Sequence, residues 1–404
     1  MLIKGKYLIN WPQATFLITT PLIALWGLFN VPLQSKTLTW AIIYYFITGL
    51  GITAGYHRLW AHKSYSAALP YQIWMALAGV GAAEGSIRWW SRGHRAHHRF
   101  TDTERDPYNA HKGFFWAHMG WMLVKEPNQN AILGKVEMSD LDNDPIVRWQ
   151  HKYYVPLLLT MAFVFPTVVA GLGWGDWVGG FFFAGVARLV FVHHATFCVN
   201  SLAHYIGEQT YDDVRTPRDH LLTALVTMGE GMHNYHHEFP NDYRNAIRWY
   251  QYDPTKWLIR AASYVGLTFD LKRFPENEVQ KGKLMMREKK LNAWRAKLDW
   301  GTPVERLPEW DANQFTEELK LNPFMMVIDG VAYDVSLFIH DHPGGVAWIK
   351  LYLGKDASAA FNGGVYKHAN AARNLMSQMR VARVPVVPLK AKAASAAAVG
   401  LKEE

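Results

Sequence analysis

The sequence of 404 residues contains little cysteine and little charge, and each shortage excludes a class of protein. Its single cysteine, Cys198, excludes a scaffold held together by disulfides. Charged residues make up 19% of the chain and hydrophobic residues 50%, which excludes a disordered chain. The mean hydropathy of −0.10 is too low for a chain that lies in a membrane throughout. We therefore expect a mixture of membrane and soluble parts.

Four long apolar runs account for the membrane part. A helix that crosses a bilayer needs ~20 mostly apolar residues. The runs of that length are Ala14–Leu33, Leu38–Tyr56, Tyr153–Leu172 and Trp177–Leu202. Short connections within each pair predict two hairpins that cross and return, the alternative being four buried helices of a soluble core. A fifth run, Leu69–Ala83, is too short to cross and predicts an interfacial or re-entrant helix.

Cationic residues orient these spans. The connections within the two pairs carry one, Lys36, whereas residues 57–152 carry twelve. Because cationic loops stay in the cytosol, the N-terminus, residues 57–152 and everything after Leu202 are predicted to face it. Both termini are then cytosolic. The net charge of +8 predicts a basic face toward anionic lipid or an anionic substrate.

Three histidine clusters carry the strongest chemical signal, H-R-L-W-A-H, H-R-A-H-H and H-N-Y-H-H. Their histidines are His57, His62, His94, His97, His98, His233, His236 and His237. In the last two clusters, positions i, i+3 and i+4 share one helical face, so their imidazoles can converge. The spacing of five residues between His57 and His62 does not place both on one face of an α-helix. Eight imidazoles are too many for one tetrahedral site, so the pattern predicts two metals.

The topology and the end of the fourth run add to this site. An even number of spans separates the clusters, so all three lie on the same side of the membrane. Asn200 and His204 are four residues apart, so they are expected to share one helical face. His204 is the ninth candidate histidine. His193 and His194 lie deeper in the run and are expected to pack or to line a tunnel, the alternative being that they bind metal. Arg188 lies deeper still, and a charge within a membrane marks either a functional position or a residue that snorkels or pairs within the bundle.

At these motifs the chain resembles the membrane fatty-acyl-CoA desaturases. The matching segments include G-Y-H-R-L-W-A-H, W-S-R-G-H-R-A-H-H-R-F-T-D-T-E-R-D-P-Y-N-A, A-T-F-C-V-N-S-L-A-H and G-E-G-M-H-N-Y-H-H-E-F-P. They cover about Leu38–Trp249 and are most similar to the delta-9 branch, in particular to fungal enzymes with their own electron-transfer domain. The resemblance implies a mostly α fold, with four transmembrane helices, a cytosolic helical cap and a kinked tunnel for an acyl chain.

The resemblance also implies a set of site residues. The implied ligands of two irons are His57, His62, His94, His97, His98, His204, His233, His236 and His237, with Asn200 reaching the site through water. By position, Trp90 and Thr196 match residues that shape the tunnel kink, and Arg92 and Lys125 match residues that meet the CoA head. The match is incomplete, because Gly93 replaces an aspartate of animal relatives and Glu126 a basic residue. The CoA contacts are therefore the least secure implication.

A second site is predicted near the C-terminus. His342 lies in F-I-H-D-H-P-G-G, and His368 follows twenty-six residues later. Two histidines on separate helices can bind one haem on both faces, and such a haem passes electrons because oxygen cannot easily bind it. With the strand-like Met325–Val335, the segment Trp310–Val384 resembles cytochrome b5, which implies haem b in a small α+β domain. His340 is expected to be a surface residue.

These parts predict a domain order. Residues 1–274 form the membrane desaturase domain with its histidine-bearing cap, and residues 275–309 form a charged helix and linker. Residues 310–384 form the haem domain, and residues 385–404 a disordered tail.

The two halves together predict one activity. No side chain can oxidise an unactivated methylene, and zinc has no redox chemistry, so the metal is expected to be iron. The reaction with O2 needs two external electrons, and the fused haem is expected to deliver them one at a time. Because no G-x-G-x-x-G motif is evident, an NADH-cytochrome b5 reductase is expected to feed the haem. The expected protein is an acyl-CoA delta-9 desaturase of the endoplasmic reticulum, which uses O2 and contacts membrane lipid but no nucleic acid.

Three alternatives share some of these features. A related membrane di-iron lipid hydroxylase would need the same irons and haem. A membrane zinc hydrolase would need the histidines but not the haem. A non-enzymatic haem-carrying adaptor would need the haem but neither of the two irons bound by the histidine clusters.

Overall fold

The chain divides into two compact units, Met1–Lys289 and Lys290–Glu404. A computed structural model describes residues 2–3, 7–125, 133 and 136–384. Glu126 and the predicted tail 385–404 lie outside the described residues. The predicted domain limits stay a prediction, since the division by contacts falls within the helix Glu276–Arg295.

In the described part of the chain, four helices are long and apolar enough to cross a membrane. These spans, numbered one to four, are Trp11–Asn30, Ser35–Ala61, Tyr154–Trp174 and Trp177–Tyr205. They confirm the predicted four-helix membrane architecture. In the second and fourth spans, 50% and 56% of the most apolar stretch is buried within the protein, against 17% and 22% in the first and third spans. The second and fourth spans therefore form the centre of the bundle.

The two central spans are also the longest, at 27 and 29 residues. With a rise of about 1.5 Å per residue, both exceed the ~30 Å hydrocarbon core of a bilayer. They end at Ala61 and Tyr205, further along the chain than the predicted ends at Tyr56 and Leu202. The first histidine cluster and His204 therefore lie at the ends of these two spans.

Neither central span is α-helical throughout. The second span is an α-helix over Ser35–Leu50 and continues as a π-helix over Gly51–Ala61. The fourth span has a π-helical stretch, Gly180–Ala187, followed by the α-helix Arg188–Asn200 and the short helix Leu202–Tyr205. π-Helical segments are rare and are frequently found at functional sites.

The apolar helix Leu69–Val80 packs against the π-helix of the second span. Its last turn lies deep in the bundle, because the carbonyl of Gly81 accepts a hydrogen bond of 2.7 Å from Arg188, near the middle of the fourth span. Of the two predicted possibilities, this position favours a re-entrant helix. The chain then turns through residues 81–86 into the helix Ile87–Phe100, which carries the second histidine cluster.

Short helices complete the first unit outside the spans and are here called the cap. They are Ala110–Lys112, Trp116–Gly120, Trp121–Leu123, Ser139–Asn143, Pro145–Lys152, Leu221–Val226, His233–Glu238, Pro254–Tyr264 and Glu276–Arg295. Two small antiparallel sheets join them, one of Leu2–Ile3, Tyr7–Ile9 and Val124–Lys125 and one of Ser66–Ala67 and Thr268–Phe269. The core between the cap and the second span contains Tyr56, Trp60, Met75 and Ile259.

The second unit is small and mixes helices with a sheet. Its sheet has the strands Met325–Ile328, Val331–Asp334 and Arg380–Arg383, all antiparallel. Around it lie the helices Val304–Arg306, Ala312–Leu321, Val346–Tyr352, Ser358–Phe361, Asn370–Met376 and Ser377–Met379. This confirms the predicted small α+β domain.

The strand-like run Met325–Val335 is a hairpin rather than one strand. Asp329 and Gly330 form its turn with φ of 50° and 74°. An Asp-Gly pair favours such a two-residue turn, because both residues tolerate positive φ. The predicted linker also contributes to this unit, since Leu307 is buried in its core beside Met326 and Ile339.

Candidate functional site

All nine predicted histidines converge at the cap end of the two central spans. They form two groups in which the candidate ligand atoms lie within 4.8 Å of one another. The five-histidine group is His57, His62, His94, His98 and His236, and the four-histidine group is His97, His204, His233 and His237. The groups adjoin, since the rings of His98 and His237 stack with centroids 4.2 Å apart.

The π-helix corrects the expectation for the first cluster. In that helix the backbone N–H of His62 donates to the carbonyl of His57 at 3.0 Å, a bond that spans five residues. Residues five apart are therefore stacked on one face, and the two imidazole centroids are 4.8 Å apart. The prediction that these histidines do not share a helical face was wrong, because it assumed the α-helical period.

Several imidazoles are fixed at Nδ1, which leaves Nε2 as the free ligand atom. Nδ1 of His57 lies 3.1 Å from Glu230, and Nδ1 of His97 lies 2.8 Å from Asp106. Nδ1 of His204 lies 2.7 Å from the hydroxyl of Thr216, which itself donates to Asp102 at 2.6 Å. A carboxylate or an occupied hydroxyl can only accept here, so each Nδ1 carries the proton.

The facing Nε2 atoms are suited to a cation. Nε2 of His57 lies 3.0 Å from Nε2 of His236, which in turn lies 2.9 Å from Nε2 of His98. In the other group, Nε2 of His237 lies within 3.2 Å of its counterparts in His97 and His233. Lone pairs that converge at such distances repel one another unless a metal ion lies between them. The buried Nε2 of His204 lacks any protein hydrogen bond. The residues therefore fit two metal ions.

Burial and neighbouring imidazoles favour the neutral form of six of these histidines, as metal ligation requires. Burial and the neighbouring imidazoles hold the pKa of five of them well below its usual range, namely His62, His94, His98, His236 and His237. Burial also lowers the pKa of His233 to about 3.

A buried charge network supports His57, and the sequence did not reveal it. Arg58 donates to Glu230 at 2.8 Å and to Asp253 at 3.0 Å, and all three side chains are almost fully buried. Burial raises the pKa of Glu230, but Arg58 and His57 outweigh that effect and hold it at about 2. Glu230 is therefore ionised and orients His57. One signal was available, because G-E-G-M-H places Glu230 three residues before His233.

Asn200 and His204, the other two residues predicted for the metal site, do not lie on one helical face. The helix breaks at Ser201, with φ −109° and ψ −75°, between Asn200 and His204. His204 joins the four-histidine group, and Asn200 lines the adjoining cavity. The expectation that the two share a face assumed a continuous helix.

A cavity of about 1030 Å³ extends from the histidines into the bundle. Histidines of both groups line it, as do Asn200, Trp90 and Thr196. Its other walls are mainly apolar, with Phe16, Leu17, Ile52, Leu159, Phe163 and Val192. Arg92 and Lys125 also line it, together with Lys152, which the sequence did not single out. The cavity thus offers an apolar length, cationic side chains and access to the metal ligands.

Glu84 links the two predicted kink residues. Its carboxylate accepts hydrogen bonds from the Thr196 hydroxyl at 2.7 Å and from the Trp90 indole at 3.2 Å. The Trp90 ring stacks on His94 with centroids 4.9 Å apart. Burial raises the pKa of Glu84 to about 8 against these two hydrogen bonds. Its carboxyl group is therefore mostly protonated at pH 7.

The second unit brings its two predicted haem ligands face to face. The ring centroids of His342 and His368 are 6.3 Å apart and the rings are tilted by 29°. Each Nδ1 lies 3.0 Å from a backbone carbonyl, that of Gly345 for His342 and that of Phe361 for His368. Both Nδ1 atoms therefore carry protons, and both Nε2 atoms are free to bind a haem iron. The pair fits a haem held on both faces.

These observations define a class of protein, a membrane-spanning metalloprotein with a dinuclear histidine site beside an apolar cavity and a tethered haem module. Family comparison agrees with this class. Residues 35–270 match the fatty acid desaturase family, and residues 311–385 match the cytochrome b5-like haem/steroid binding domain. The chain belongs to the fatty acid desaturase family, which confirms the resemblance found in its sequence.

Curated relatives match most of the chain. A probable acyl-CoA desaturase of Schizosaccharomyces pombe is 54% identical over 93% of this chain and 78% of its own. Acyl-CoA desaturase 1 of Saccharomyces cerevisiae is 48% identical over 93% of this chain and 73% of its own. The human stearoyl-CoA desaturase is 40% identical over 65% of this chain and 74% of its own. The protein is therefore an oxidoreductase with haem and a histidine site that fits two irons.

Proposed function

We propose that this protein inserts a cis double bond at the delta-9 position of a saturated fatty acyl-CoA, using O2 and electrons from its own haem module. One observation carries the proposal: histidines of both metal-binding groups line a single cavity whose remaining walls are mostly apolar. A long apolar chain in this cavity would lie beside two metals. The names of the relatives supply the substrate class.

The histidines would hold two irons, one in each group. The ligands of one are His57, His62, His94, His98 and His236; those of the other are His97, His204, His233 and His237. Asn200 lies on the cavity wall beside them. Iron bound there supplies the redox chemistry that removes hydrogen from an unactivated methylene.

The chain's own residues then determine which methylene reacts. The apolar walls bind the acyl chain and exclude water, and Trp90 and Thr196 shape the wall next to the histidines. Arg92, Lys125 and Lys152 would bind the CoA phosphates, since all three line the cavity. Fixing the chain at both ends is what selects one bond among many similar ones.

The haem module would relay electrons one at a time. His342 and His368 hold haem b on both faces, which favours electron transfer over oxygen binding. Covalent tethering gives this donor a high effective concentration. An NADH-cytochrome b5 reductase is the proposed source of the electrons.

We place the protein in the endoplasmic reticulum membrane with both termini and the histidine site on the cytosolic side. The twelve lysines and arginines of residues 57–152 support this orientation. Membrane lipid surrounds the spans, and their exposed apolar side chains, such as Phe29, Leu172 and Phe191, suit that environment. Nucleic acid is not a proposed partner.

The di-iron hydroxylase, the zinc hydrolase and the haem adaptor are not favoured. The matched relatives are acyl-CoA desaturases, and the haem module has no role in a hydrolase.

Expression in cells that lack their own desaturase tests the proposal. The protein should restore growth without added oleate, and gas chromatography should show double bonds at position 9. Alanine at His97 or His237 should abolish both results. A hydroxylated product would overturn the proposal in favour of the hydroxylase, and zinc without iron in the purified protein would favour the hydrolase. A wild-type protein that restores no growth but binds haem, with a haem content unchanged by alanine at His97, would favour the adaptor.

A further inference from the structure

A short turn between the re-entrant helix and the helix Ile87–Phe100 forms part of the cavity wall. Within this turn, residues 81–85, Ala83, Glu84 and Gly85 line the cavity. Two of them have positive φ, 54° for Ala83 and 103° for Gly85. A non-glycine residue at positive φ is strained and persists only where its surroundings hold it in place.

Three side chains of the fourth span hold this turn in place through hydrogen bonds. Arg188 donates to the carbonyl of Gly81 at 2.7 Å, and Nε2 of His193 donates to the carbonyl of Ala82 at 2.8 Å. Thr196 donates to the carboxylate of Glu84 at 2.7 Å. Three side chains along one helix thus hold three successive points of the turn.

His193 makes the most specialised of these contacts. Its side chain is almost fully buried, at 4% exposure. Phe197 stacks on its ring at 5.6 Å and Phe16 meets its edge at 5.9 Å, so the ring has a fixed orientation. The adjacent His194 is exposed and pairs with His118 at 3.0 Å, away from the turn. Arg188, in contrast, also binds the carbonyl of Ala162 and supports the bundle more widely.

The turn is connected directly to the metal-binding residues. Glu84 accepts a hydrogen bond from Trp90 at 3.2 Å, and Trp90 stacks on His94. A displacement of Ala82 would therefore move Glu84 and Trp90, which form the wall beside the five-histidine group.

We propose that His193 is a positioning residue that sets which carbons of the acyl chain face the histidine site. By holding the Ala82 carbonyl it fixes the turn, and the turn fixes the cavity wall formed by Glu84 and Trp90. The inference rests on the proposed function, because it concerns the choice of bond in that reaction.

The test compares two substitutions at this position with one at its neighbour. His193→Phe keeps an aromatic ring but removes the donor, whereas His193→Gln keeps an amide donor. His194→Phe is the control at the adjacent position, since His194 does not contact the turn and, unlike His193, does not line the cavity. Each full-length variant is expressed in desaturase-deficient cells supplied with saturated fatty acid. Double-bond positions are mapped by mass spectrometry, and iron and haem contents are measured on purified protein.

We expect His193→Phe to lower the yield at the usual bond on the order of tenfold. It should raise the fraction of double bonds at neighbouring positions while leaving iron and haem contents unchanged. His193→Gln should restore the wild-type distribution, and His194→Phe should not alter it. His193→Leu provides the same test if the Phe variant is not recovered as folded protein.

An unchanged distribution of positions in both donor-free variants would overturn the inference, even if total activity fell. An equal shift in His194→Phe would overturn it too. If the wild-type protein forms no double bond, the proposed function itself fails and this inference falls with it.

Discussion

Nδ1 of His97 lies 2.8 Å from Oδ1 of Asp106, and both side chains are almost completely buried. The same carboxylate accepts from the backbone N–H of Asp102 at 3.0 Å and of Tyr108 at 3.2 Å. Asp106 therefore holds a loop and an imidazole in one arrangement. Such outer hydrogen bonds fix the tautomer of a metal ligand and raise its basicity.

Replacing Asp106 should weaken metal binding more than it weakens the fold. We expect Asp106→Asn to reduce iron affinity by roughly 10–100-fold, because the amide cannot accept from His97 as strongly as the carboxylate. Iron content after dialysis against a graded chelator measures this effect. Glu104→Gln is the control, since the Glu104 side chain is 91% exposed in the same loop. Equal iron retention in both variants would contradict the assigned role of Asp106.

Removing Arg58 should destabilise the first unit strongly. Arg58→Met would leave Glu230 and Asp253 buried without their partner, and breaking a buried ion pair on one side costs about 3–5 kcal/mol. The thermal unfolding midpoint in detergent measures the loss.

A surface ion pair provides the comparison for Arg58. Arg88 pairs with Asp142 at 2.6 Å, but both side chains are more than a third exposed. Arg88→Met should therefore cost about 0–1 kcal/mol. Similar midpoints for the two variants would show that the buried network is not what stabilises the cap.

The carboxyl group of Glu84 should make acyl-chain binding sensitive to alkaline pH. Burial raises its pKa to about 8, so the group is protonated below that value and ionises above it. A charge in an apolar wall disfavours a hydrocarbon neighbour. We therefore expect KM for acyl-CoA to rise between about pH 7 and pH 9.

Glu84→Gln should remove that part of the pH profile. The amide keeps an acceptor for Thr196 or Trp90 and cannot ionise. KM should then stay level across the same range in steady-state assays. A rise in KM that persists in the glutamine variant would assign the titration to another group.

Substitution of His342 or His368 should affect the haem, whereas substitution of the nearby His340 should not. His342→Ala or His368→Ala removes one face of the haem site, so the absorption spectrum typical of a haem with two histidine ligands should be lost. His340→Ala should leave that spectrum intact, because His340 is exposed and two residues from His342. In desaturase-deficient cells, His342→Ala should also prevent growth without oleate. Growth of that variant would mean that another protein delivers the electrons.

The sequence predicted those features that depend on composition and short-range spacing. Four apolar runs indicated the spans. The two H-x-x-H-H clusters, the pair His57 and His62, and His204 indicated the metal groups, and the H-P-G-G segment with His368 indicated the haem pair. It did not predict features that depend on contacts distant in the chain. Arg58 and Glu230 are separated by 172 residues, and no pattern near either one indicates the other.

Local geometry explains the remaining misses. The period of the second span changes from α to π after Leu50, and an apolar sequence fits either helix. The Ser201 hydroxyl group donates to the carbonyl of Phe197 at 2.9 Å and accepts from Nδ1 of His118 at 2.8 Å, so a residue on a different segment helps to hold the break. Glu84 was overlooked because its significance comes from the two hydrogen bonds that it accepts.

The π-helix at the end of the second span also limits how this protein can change over evolutionary time. Substitutions within Gly51–Ala61 leave the five-residue repeat intact, so the segment can vary in sequence as long as its buried side chains still pack. Insertion or deletion of one residue between His57 and His62 would break the five-residue spacing and rotate one imidazole away from the other. A change of length there would remove a ligand as surely as mutating the histidine itself. Drift in this stretch is therefore restricted to replacements, whereas length variation has to occur in exposed loops of the chain.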